Sequence, residues 1–155
     1  MNIADFLAPV DVVTDLRVSD KDRLLHELSD RAAASLRLDA APIAEALLKR
    51  EQLGSTGLGD GMAIPHARLA GVRKPFGILA RLKKPIDFDA IDGQPVDLVF
   101  LLLLPAATTG EPLNALACVS RRLREPGALR ALRAAANGTA LFNAIAAQTE
   151  LPAQH

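Results

Sequence analysis

The residue best suited to chemistry is His66, which follows a glycine-rich segment and a proline. Glycine allows backbone conformations that other residues resist, whereas Pro65 fixes its own φ and favours an extended conformation at Ile64. The sequence therefore predicts a glycine-rich turn that leads into a short strand, with His66 at the end of that strand. A histidine held in this way can act as a nucleophile. The segment reads GSTGLGDGMAIPHAR from Gly54 to Arg68, with Gly57, Gly59 and Gly61 at every second position.

Two arginines are placed in the sequence to assist such a nucleophile. Arg68 lies two residues after His66, and Arg50 lies near the end of the helix predicted before the glycines. The chain can bring Arg50 back to the same place, and guanidinium groups match the geometry of phosphate oxygens. Backbone N–H groups around a glycine turn can also hold an anion. We therefore expect His66 to carry a phosphoryl group, with a purely structural histidine as the alternative.

The glycines also raise a nucleotide-binding alternative, which their spacing does not favour. The dinucleotide fingerprint needs a different spacing and a helix that starts at its end. Here Pro65 follows four residues after Gly61, and the segment between them is typical of a strand. The phosphate-loop pattern requires Gly-Lys-Ser/Thr, which is absent. A tight turn that can hold an anion is the interpretation that the spacing favours.

The other polar residues indicate structural roles. His26 lies on the polar side of the first predicted helix, His155 is the last residue, and Cys118 is expected to pack within a helix. No His, Cys, Asp and Glu residues have the spacing of a zinc site, so no metal is predicted. Ser55 and Thr56 lack a serine-hydrolase elbow and are expected to be turn hydroxyls. Four acidic residues are expected to cap turns or face solvent: Asp87, Asp89, Asp92 and Asp97.

The elements that must position His66 follow from hydrophobic periodicity. Before the glycines, the sequence predicts a strand at Val10–Leu16 and a helix at Asp20–Leu36 with Ser19 as its N-cap. A second helix is predicted from Asp39 or Ala40 to about Gln52. After His66 the predicted strands are Phe76–Leu82, Ile86–Ala90 and the almost wholly apolar Pro95–Leu104. Three helices then follow: Leu113–Leu123, one that starts at Pro126, and Thr139–Ala147. This order predicts one α/β domain with a sheet sandwiched between helices.

Composition limits the function classes. The chain has 155 residues, of which 50% are hydrophobic and 3% aromatic, and its formal net charge is zero. This balance does not favour nucleic acid or an anionic membrane as a general partner. The single cysteine fits a reducing compartment. The start of the chain is not typical of a signal peptide, and the longest apolar run is far shorter than the roughly 20 residues of a membrane helix. We therefore expect a soluble, cytoplasmic protein without membrane insertion.

Two blocks of this sequence resemble a known family. The stretch from Arg50 to His66, REQLGSTGLGDGMAIPH, resembles the active-site block of the enzyme IIA components of the bacterial phosphotransferase system, fructose/mannitol type. The stretch from Ile86 to Pro105, IDFDAIDGQPVDLVFLLLLP, is similar to a block of the nitrogen-regulatory (PtsN-like) subgroup. The resemblance runs from about Ile3 to Ala147. It implies one enzyme IIA domain over residues 1–148, followed by a tail over residues 149–155.

The resemblance also implies a fold and a site. The family fold is a central mixed β-sheet with helices on both sides, which agrees with the periodicity. His66 matches the histidine that accepts phosphate from the phosphohistidine of HPr or its nitrogen-branch counterpart. Arg50 matches the arginine that stabilises the phosphate, and no metal or other cofactor is implied. The residues expected to form the pocket around them are Ser55, Thr56, Gly57 and Gly59.

The sequence departs from the family pattern at one position. The family often has a second histidine after the long apolar strand, and the matching segment here is Thr109-Gly110-Glu111-Pro112-Leu113. Pro112 therefore stands where that histidine would be. Because proline can neither donate a hydrogen bond nor orient a phosphate, slower transfer or a less stable phosphoprotein is one expectation. Replacement of the histidine by another group is a second.

Three functions follow from these patterns. The first is a phosphoryl carrier of the nitrogen branch, phosphorylated on His66, whose state changes binding to regulatory targets such as potassium-transport or sensor-kinase proteins. The second is a sugar-specific IIA that passes phosphate to a separate IIB domain. The third is a binding module that is never phosphorylated, an alternative that Pro112 keeps open. The DGQPVDL motif that starts at Asp92 favours the first.

Overall fold

The computed structural model describes residues 1–106 and 111–147. Its helices and strands are short, and most of them pack against one long central strand. The strands are β1 (Val12–Leu16), β2 (Gly57–Gly59), β3 (Met62–Ala63), β4 (His66–Leu69), β5 (Phe76–Ile86) and β6 (Val96–Pro105). The helices are α1 (Lys21–Leu36), α2 (Ala40–Gln52), α3 (Glu111–Leu123), α4 (Ala128–Ala134) and α5 (Gly138–Ala146). Two short 3-10 turns, Ile3–Asp5 and Pro9–Asp11, precede β1.

The described strands form a mixed sheet of six strands in the order β1-β5-β6-β3-β2, and β4 also pairs with β6. β5 and β6 are antiparallel neighbours, whereas β1 runs parallel to β5. β3 and β4 both run parallel to β6, one after the other along its length. The site segment is therefore hydrogen-bonded along the most buried strand of the molecule.

Strand β6 separates two hydrophobic cores because successive side chains of a strand point to opposite faces. Val99, Leu101 and Leu103 pack with α1 and α2 on one face, and the residues between them pack with α3, α4 and α5 on the other. Every residue from Leu98 to Leu104 is at most 3% exposed. Both faces of the sheet are therefore covered by helices, and the predicted α/β sandwich with a central mixed sheet is confirmed.

The helix starts show which polar side chains cap the backbone. The first helix begins one residue later than predicted, because its N-cap is Asp20, whose carboxylate accepts a hydrogen bond from the Arg23 amide at 2.8 Å. Ser19 instead donates its hydroxyl to Asp20 at 3.2 Å. The predicted start of the second helix at Ala40 is confirmed. Asn137 caps α5, which begins at Gly138.

Two more predicted boundaries are wrong, besides smaller differences at the start of β1 and the end of β5. Ile86–Ala90 is not a separate strand, because Ile86 ends β5 and the backbone then turns, with Asp89 at a φ of 54°. The Asp87 carboxylate accepts from the Asp89 amide at 3.0 Å and so favours the turn over a strand. Pro126 does not start α4, because Gly127 follows it with a φ of 82° and the helix begins at Ala128.

Some predictions fall outside the described residues. Thr109, Gly110 and the predicted tail over residues 149–155 are among them, so the division at residue 148 stays a prediction. Pro112 lies in the first turn of α3, a position that proline tolerates because amide groups there have no partner within the helix. In the part of the chain that the structure describes, no helix has the length and hydrophobicity needed to cross a membrane.

Candidate functional site

His66 opens strand β4 and does not end a strand as the sequence predicted. β3 ends at Ala63, and the pairing with β6 resumes at His66, which lies opposite Leu102. The interruption falls at Pro65, which has no N–H to donate, although its carbonyl accepts from the Leu102 amide at 2.9 Å. The chain therefore stays extended through the interruption and fixes the backbone of His66 on the central strand.

A hydrogen bond to its own chain orients the ring of His66. Nδ1 lies 2.8 Å from the carbonyl oxygen of Ile64. Because a carbonyl oxygen can only accept, Nδ1 carries the proton of the neutral ring and Nε2 keeps its lone pair. The side chain is half-buried, at the wall of a cavity of about 710 Å³. The ring is thus a nucleophile of defined tautomer.

The surroundings of His66 lower its pKa below the ordinary value of 6.5. Burial is the largest cause because it disfavours the charged imidazolium. The hydrogen bond to Ile64 raises the pKa, the charge of Arg50 lowers it, and the charge of Glu51 raises it. Because the effects that lower the pKa outweigh those that raise it, the imidazole of His66 is largely unprotonated at neutral pH.

Helix α2 brings Arg50 to the same cavity as His66. Arg50 lies in the last turn of the helix, where a cation is favoured by the helix dipole, and its Nη1 donates to the carbonyl of Gly54 at 2.9 Å. Arg68 and Lys49 also line the cavity, so three cationic side chains share it with the imidazole. The rest of the lining is largely apolar and includes Leu53, Leu104 and Leu116.

The glycine-rich segment forms a small hairpin of β2 and β3 rather than a single turn. Asp60 and Gly61 make its bend with φ values of 57° and 81°, and Gly59 precedes them at 98°. The hairpin is held from outside by Asp92, whose carboxylate accepts from the amides of Gln94 and Asp60 at 3.0 Å each. These amides, Gln94 first, lower the pKa of Asp92.

The hairpin is also held from its other side. Arg133 of α4 pairs with Asp97 at 2.9 Å and donates to the carbonyl of Asp60 at 2.5 Å. Asp97 therefore forms a salt bridge from strand β6 and does not cap a turn, whereas Asp87 and Asp92 accept from turn amides as expected. Within residues 1–106 and 111–147, no group of three His, Cys, Asp or Glu residues is placed to hold a metal ion.

Ser55 and Thr56 are not among the described residues that line the cavity. The Ser55 hydroxyl donates to the carbonyl of Phe88 at 2.7 Å and accepts from the Gly57 amide at 3.0 Å. Thr56 donates both its amide, at 3.1 Å, and its hydroxyl to the carboxylate of Glu51. Gly57 and Gly59 belong to the hairpin strand β2 and are likewise absent from that lining. Ser55 and Thr56 thus belong to the loop between α2 and β2, and the two glycines belong to the hairpin that follows it.

Glu51 is the residue near the site that sequence reasoning missed. Its side chain is 5% exposed and pairs with Lys21 of α1 at 2.9 Å. The signal was present in the sequence, because Ile43, Leu47 and Glu51 follow one another at intervals of four on the buried face of α2. A carboxylate on an apolar stripe requires a partner, and such a position predicts a buried polar contact.

The remaining candidates lie away from His66. His26 is exposed on α1, and its Nδ1 lies 2.9 Å from the carbonyl of Asp22. Cys118 is half-buried in α3 and donates to the carbonyl of Met1 at 3.4 Å, and burial raises the pKa of its thiol. His155 lies outside the described residues. Among the described histidines, His66 alone combines a fixed tautomer with a cationic cavity.

This site suits one class of chemistry. An uncharged imidazole presents Nε2 in an open, mostly apolar cavity, with guanidinium groups that can neutralise an incoming phosphoryl group. The arrangement is therefore chemically suited to accept an anionic group such as a phosphoryl group.

The comparison with known families identifies the family of this chain. The family described as "Phosphoenolpyruvate-dependent sugar phosphotransferase system, EIIA 2" matches residues 5–148. The chain belongs to this family. It is 43% identical over 146 residues to a nitrogen regulatory protein of Bradyrhizobium diazoefficiens, covering 94% of this chain and 95% of that protein. It is 44% identical over 126 residues to the nitrogen regulatory protein of Escherichia coli K12, covering 81% and 77% of the two chains.

Solved structures place the fold in the same group. The crystal structure of the nitrogen regulatory protein IIA-Ntr from Neisseria meningitidis matches with a TM-score of 0.87 and 36% identity, over 92% of this chain and 98% of that one. IIA mannitol from Escherichia coli matches with a TM-score of 0.74 at 16% identity, over 90% and 98%. The resemblance to the nitrogen-regulatory subgroup is thus confirmed, and the mannitol protein shares the fold.

Proposed function

We propose that this chain is a cytoplasmic phosphoryl carrier that accepts phosphate on Nε2 of His66 from the phosphohistidine of an HPr-like carrier. The observation that carries the proposal is the geometry of the imidazole, because its Nδ1 is occupied by the Ile64 carbonyl and Nε2 is left for the reaction. The single cysteine supports the location, because a chain with one cysteine forms no disulfide within itself and fits a reducing compartment.

The reaction balances as an exchange between two imidazoles. The lone pair of Nε2 forms a bond to phosphorus while the nitrogen–phosphorus bond of the donor breaks and its electron pair returns to the donor nitrogen. A donor ring that carries a proton on its other nitrogen then leaves as neutral imidazole. The His66 ring keeps its Nδ1 proton on the Ile64 carbonyl and takes over the positive charge. The transition state spreads charge over the phosphoryl oxygens, so positioning and cationic donors supply most of the catalysis. Arg50 is the candidate donor because its guanidinium lies on the wall that His66 shares.

The output of the carrier is proposed to be regulatory. Membership in a family whose similar relatives are named nitrogen regulatory proteins supports targets that bind one phosphorylation state, such as potassium-transport or sensor-kinase proteins. A second candidate is a sugar-specific role with transfer to a IIB domain. It is supported by a 36% identical fructose-specific EIIA component of Haloferax volcanii, which covers 79% of this chain.

The deciding experiment supplies phosphoenolpyruvate, purified enzyme I and the HPr-like carrier of the same organism. We expect an acid-labile phosphate on the wild-type chain and none on His66→Ala. His26→Ala is the matched control, because this exposed histidine of α1 does not line the cavity. A wild-type chain that takes no phosphate from its cognate carrier would leave only the unphosphorylated binding module.

Two further measurements separate the roles within this proposal. Arg50→Ala is expected to slow transfer while the fold survives, whereas Arg31→Ala, an exposed arginine paired with Glu27 on α1, should transfer normally. An unchanged rate in Arg50→Ala would exclude that arginine from the reaction. Growth on fructose or mannitol after deletion of the gene distinguishes the two outputs, because only the sugar-specific role predicts a defect.

A further inference from the structure

A continuous line of hydrogen bonds joins a buried ion pair to the ring of His66. It starts at Lys21, whose Nζ lies 2.9 Å from Oε1 of Glu51. The Glu51 carboxylate accepts both the amide and the hydroxyl of Thr56. The carbonyl of Thr56 accepts from the Ile64 amide at 3.1 Å, and the carbonyl of Ile64 accepts from Nδ1 of His66 at 2.8 Å.

The ion pair is costly for a structure that needs only stability. The side chains of Glu51 and Lys21 are 5% and 19% exposed, so both groups have lost most of their hydration. Removing charges from water costs several kcal/mol per ion, and apolar replacements of buried pairs are often neutral or stabilising. The contacts of Glu51 are instead directed to the loop between α2 and β2, since Thr56 is 4% exposed and gives the carboxylate two hydrogen bonds.

We propose that Glu51 is a positioning residue for phosphoryl transfer, which holds Thr56 and thereby fixes the Ile64 carbonyl and the ring of His66 relative to Arg50. This inference rests on the proposed function and deepens it. Glu51 follows Arg50 directly at the end of α2, so the same helical turn carries the cation of the cavity and the anion behind it. In this proposal, the hydrogen bonds from Glu51 through Thr56 and Ile64 set both the orientation of the imidazole and its distance from the Arg50 guanidinium.

The charge of Glu51 has a second effect on the same ring. It raises the pKa of His66, against burial and the charge of Arg50, which lower it. The other charged side chains that line the cavity are Lys49 of α2 and Arg68 of β4, and both are cations. Glu51 therefore opposes, as the smallest of the four effects, the lowering of the pKa of His66 by burial and by Arg50.

Three sets of variants separate positioning from stability. Glu51→Gln keeps hydrogen-bonding groups for Thr56 but removes the charge, and it leaves Lys21 with the exposed Asp89, at 3.7 Å, as its carboxylate partner. The double variant Lys21→Met/Glu51→Gln removes both charges and so avoids a largely buried cation that has lost its nearer partner. Thr56→Val loses the hydroxyl, whereas Thr56→Ser restores it. Glu45→Gln is the matched control, because Glu45 is an exposed glutamate of the same helix.

Each variant is measured in three ways on the full chain. The first is the rate of transfer from the phosphorylated carrier, the second is the pH titration of His66 by NMR in the unphosphorylated protein, and the third is the urea midpoint. Because the titration needs no phosphorylation, it tests the line of hydrogen bonds even if the carrier proposal fails. If the wild-type chain accepts phosphate from the carrier, the transfer rates of the variants test the positioning role of Glu51 and not the carrier proposal.

We expect Glu51→Gln to transfer at least about tenfold more slowly and to titrate His66 at a lower pH. The double variant should have a higher urea midpoint than Glu51→Gln. Its transfer should nevertheless remain slower, and its His66 should titrate at a lower pH, than in the wild-type chain. Thr56→Val should be slow and Thr56→Ser close to wild type, with Glu45→Gln unchanged. The inference is overturned if Glu51→Gln transfers and titrates as wild type, or if the double variant regains its rate together with its stability.

Discussion

The imidazole of His66 is subject to opposing effects of burial and hydrogen bonding. Burial lowers its pKa, whereas the Ile64 carbonyl stabilises the protonated ring and raises it. The two flanking side chains on α2 also oppose each other, since Arg50 lowers the pKa and Glu51 raises it. The ring therefore stays neutral at physiological pH without losing its basicity altogether, as a nucleophile that exchanges phosphate reversibly requires.

This lowered pKa predicts a pH dependence of stability. The unfolded chain binds a proton on His66 with the ordinary pKa of 6.5, and the folded chain binds it only at lower pH. As pH falls below 6.5 the unfolded state takes up more protons than the folded state, so the free energy of unfolding decreases. Urea midpoints at about pH 7.5 and about pH 5 should show this loss for the wild-type chain.

His66→Asn is the control for that measurement, because its amide can replace the Nδ1 donor and does not titrate. We expect the midpoint of His66→Asn to fall less than the wild-type midpoint over the same pH interval. Equal losses in the two proteins would show that other groups cause the whole effect and that the pKa of His66 is not lowered.

At the scale of elements, the β2–β3 hairpin depends on close contact with the loop before β6. A Cβ atom on Gly57 would lie 2.8 Å from Cβ and 2.9 Å from Cα of Ala90. Gly57→Ala therefore forces the hairpin and the loop apart, and we expect a loss of about 1–3 kcal/mol in urea unfolding. Slower phosphoryl transfer should accompany it, since Thr56 is the preceding residue.

Gly138→Ala is the comparison for Gly57→Ala. Gly138 is the first residue of α5, and a Cβ there meets nothing within 4 Å. This variant should be neutral or more stable by about 0.4–1 kcal/mol, because alanine reduces the entropy of the unfolded chain. If both variants unfold at the same urea concentration, the contact with Ala90 does not constrain the hairpin.

The end of helix α2 offers an apolar contact for the carrier. Leu53 is 84% exposed and lines the cavity of His66. Leu53→Ala should weaken the binding of the phosphorylated carrier by about 1–2 kcal/mol, measured as an increase in KM, with the urea midpoint unchanged. Val10→Ala, also 84% exposed but outside this cavity, should leave KM unchanged. An unaltered KM in Leu53→Ala would place the docking surface elsewhere.

The elements differed in how far the sequence could predict them. The apolar run of β6 and the periodicity of α1 and α2 carry strong signals, and these elements were predicted nearly to the residue. For the hairpin at Gly57–Ala63 the sequence predicts a turn that leads into one short strand, and it misses β2 because a three-residue strand has no periodicity to detect. Ser55 and Thr56 were expected to line the pocket, yet their partners lie on α2 and the loop before β6, far away in sequence.

At the scale of the whole molecule, phosphorylation should change the charge by a large relative amount. The formal net charge is zero, and a phosphoryl group adds about −1.5 to −2 at neutral pH. We therefore expect the phosphorylated chain to migrate faster towards the anode in a native gel at about pH 8. The shift should be absent in His66→Ala and disappear on mild acid treatment. A shift that survives in His66→Ala would indicate another phosphorylated residue.

The strands at the open edges of the sheet, β1, β2 and β4, are all short. β1 has five residues and contains Asp15 with a φ of 55°, β2 has three residues, and β4 has four. A chain without net charge lacks the mutual repulsion that keeps many proteins apart in solution. Brief, irregular edges offer few unpaired amide and carbonyl groups to another molecule, so they oppose edge-to-edge aggregation where electrostatics does not.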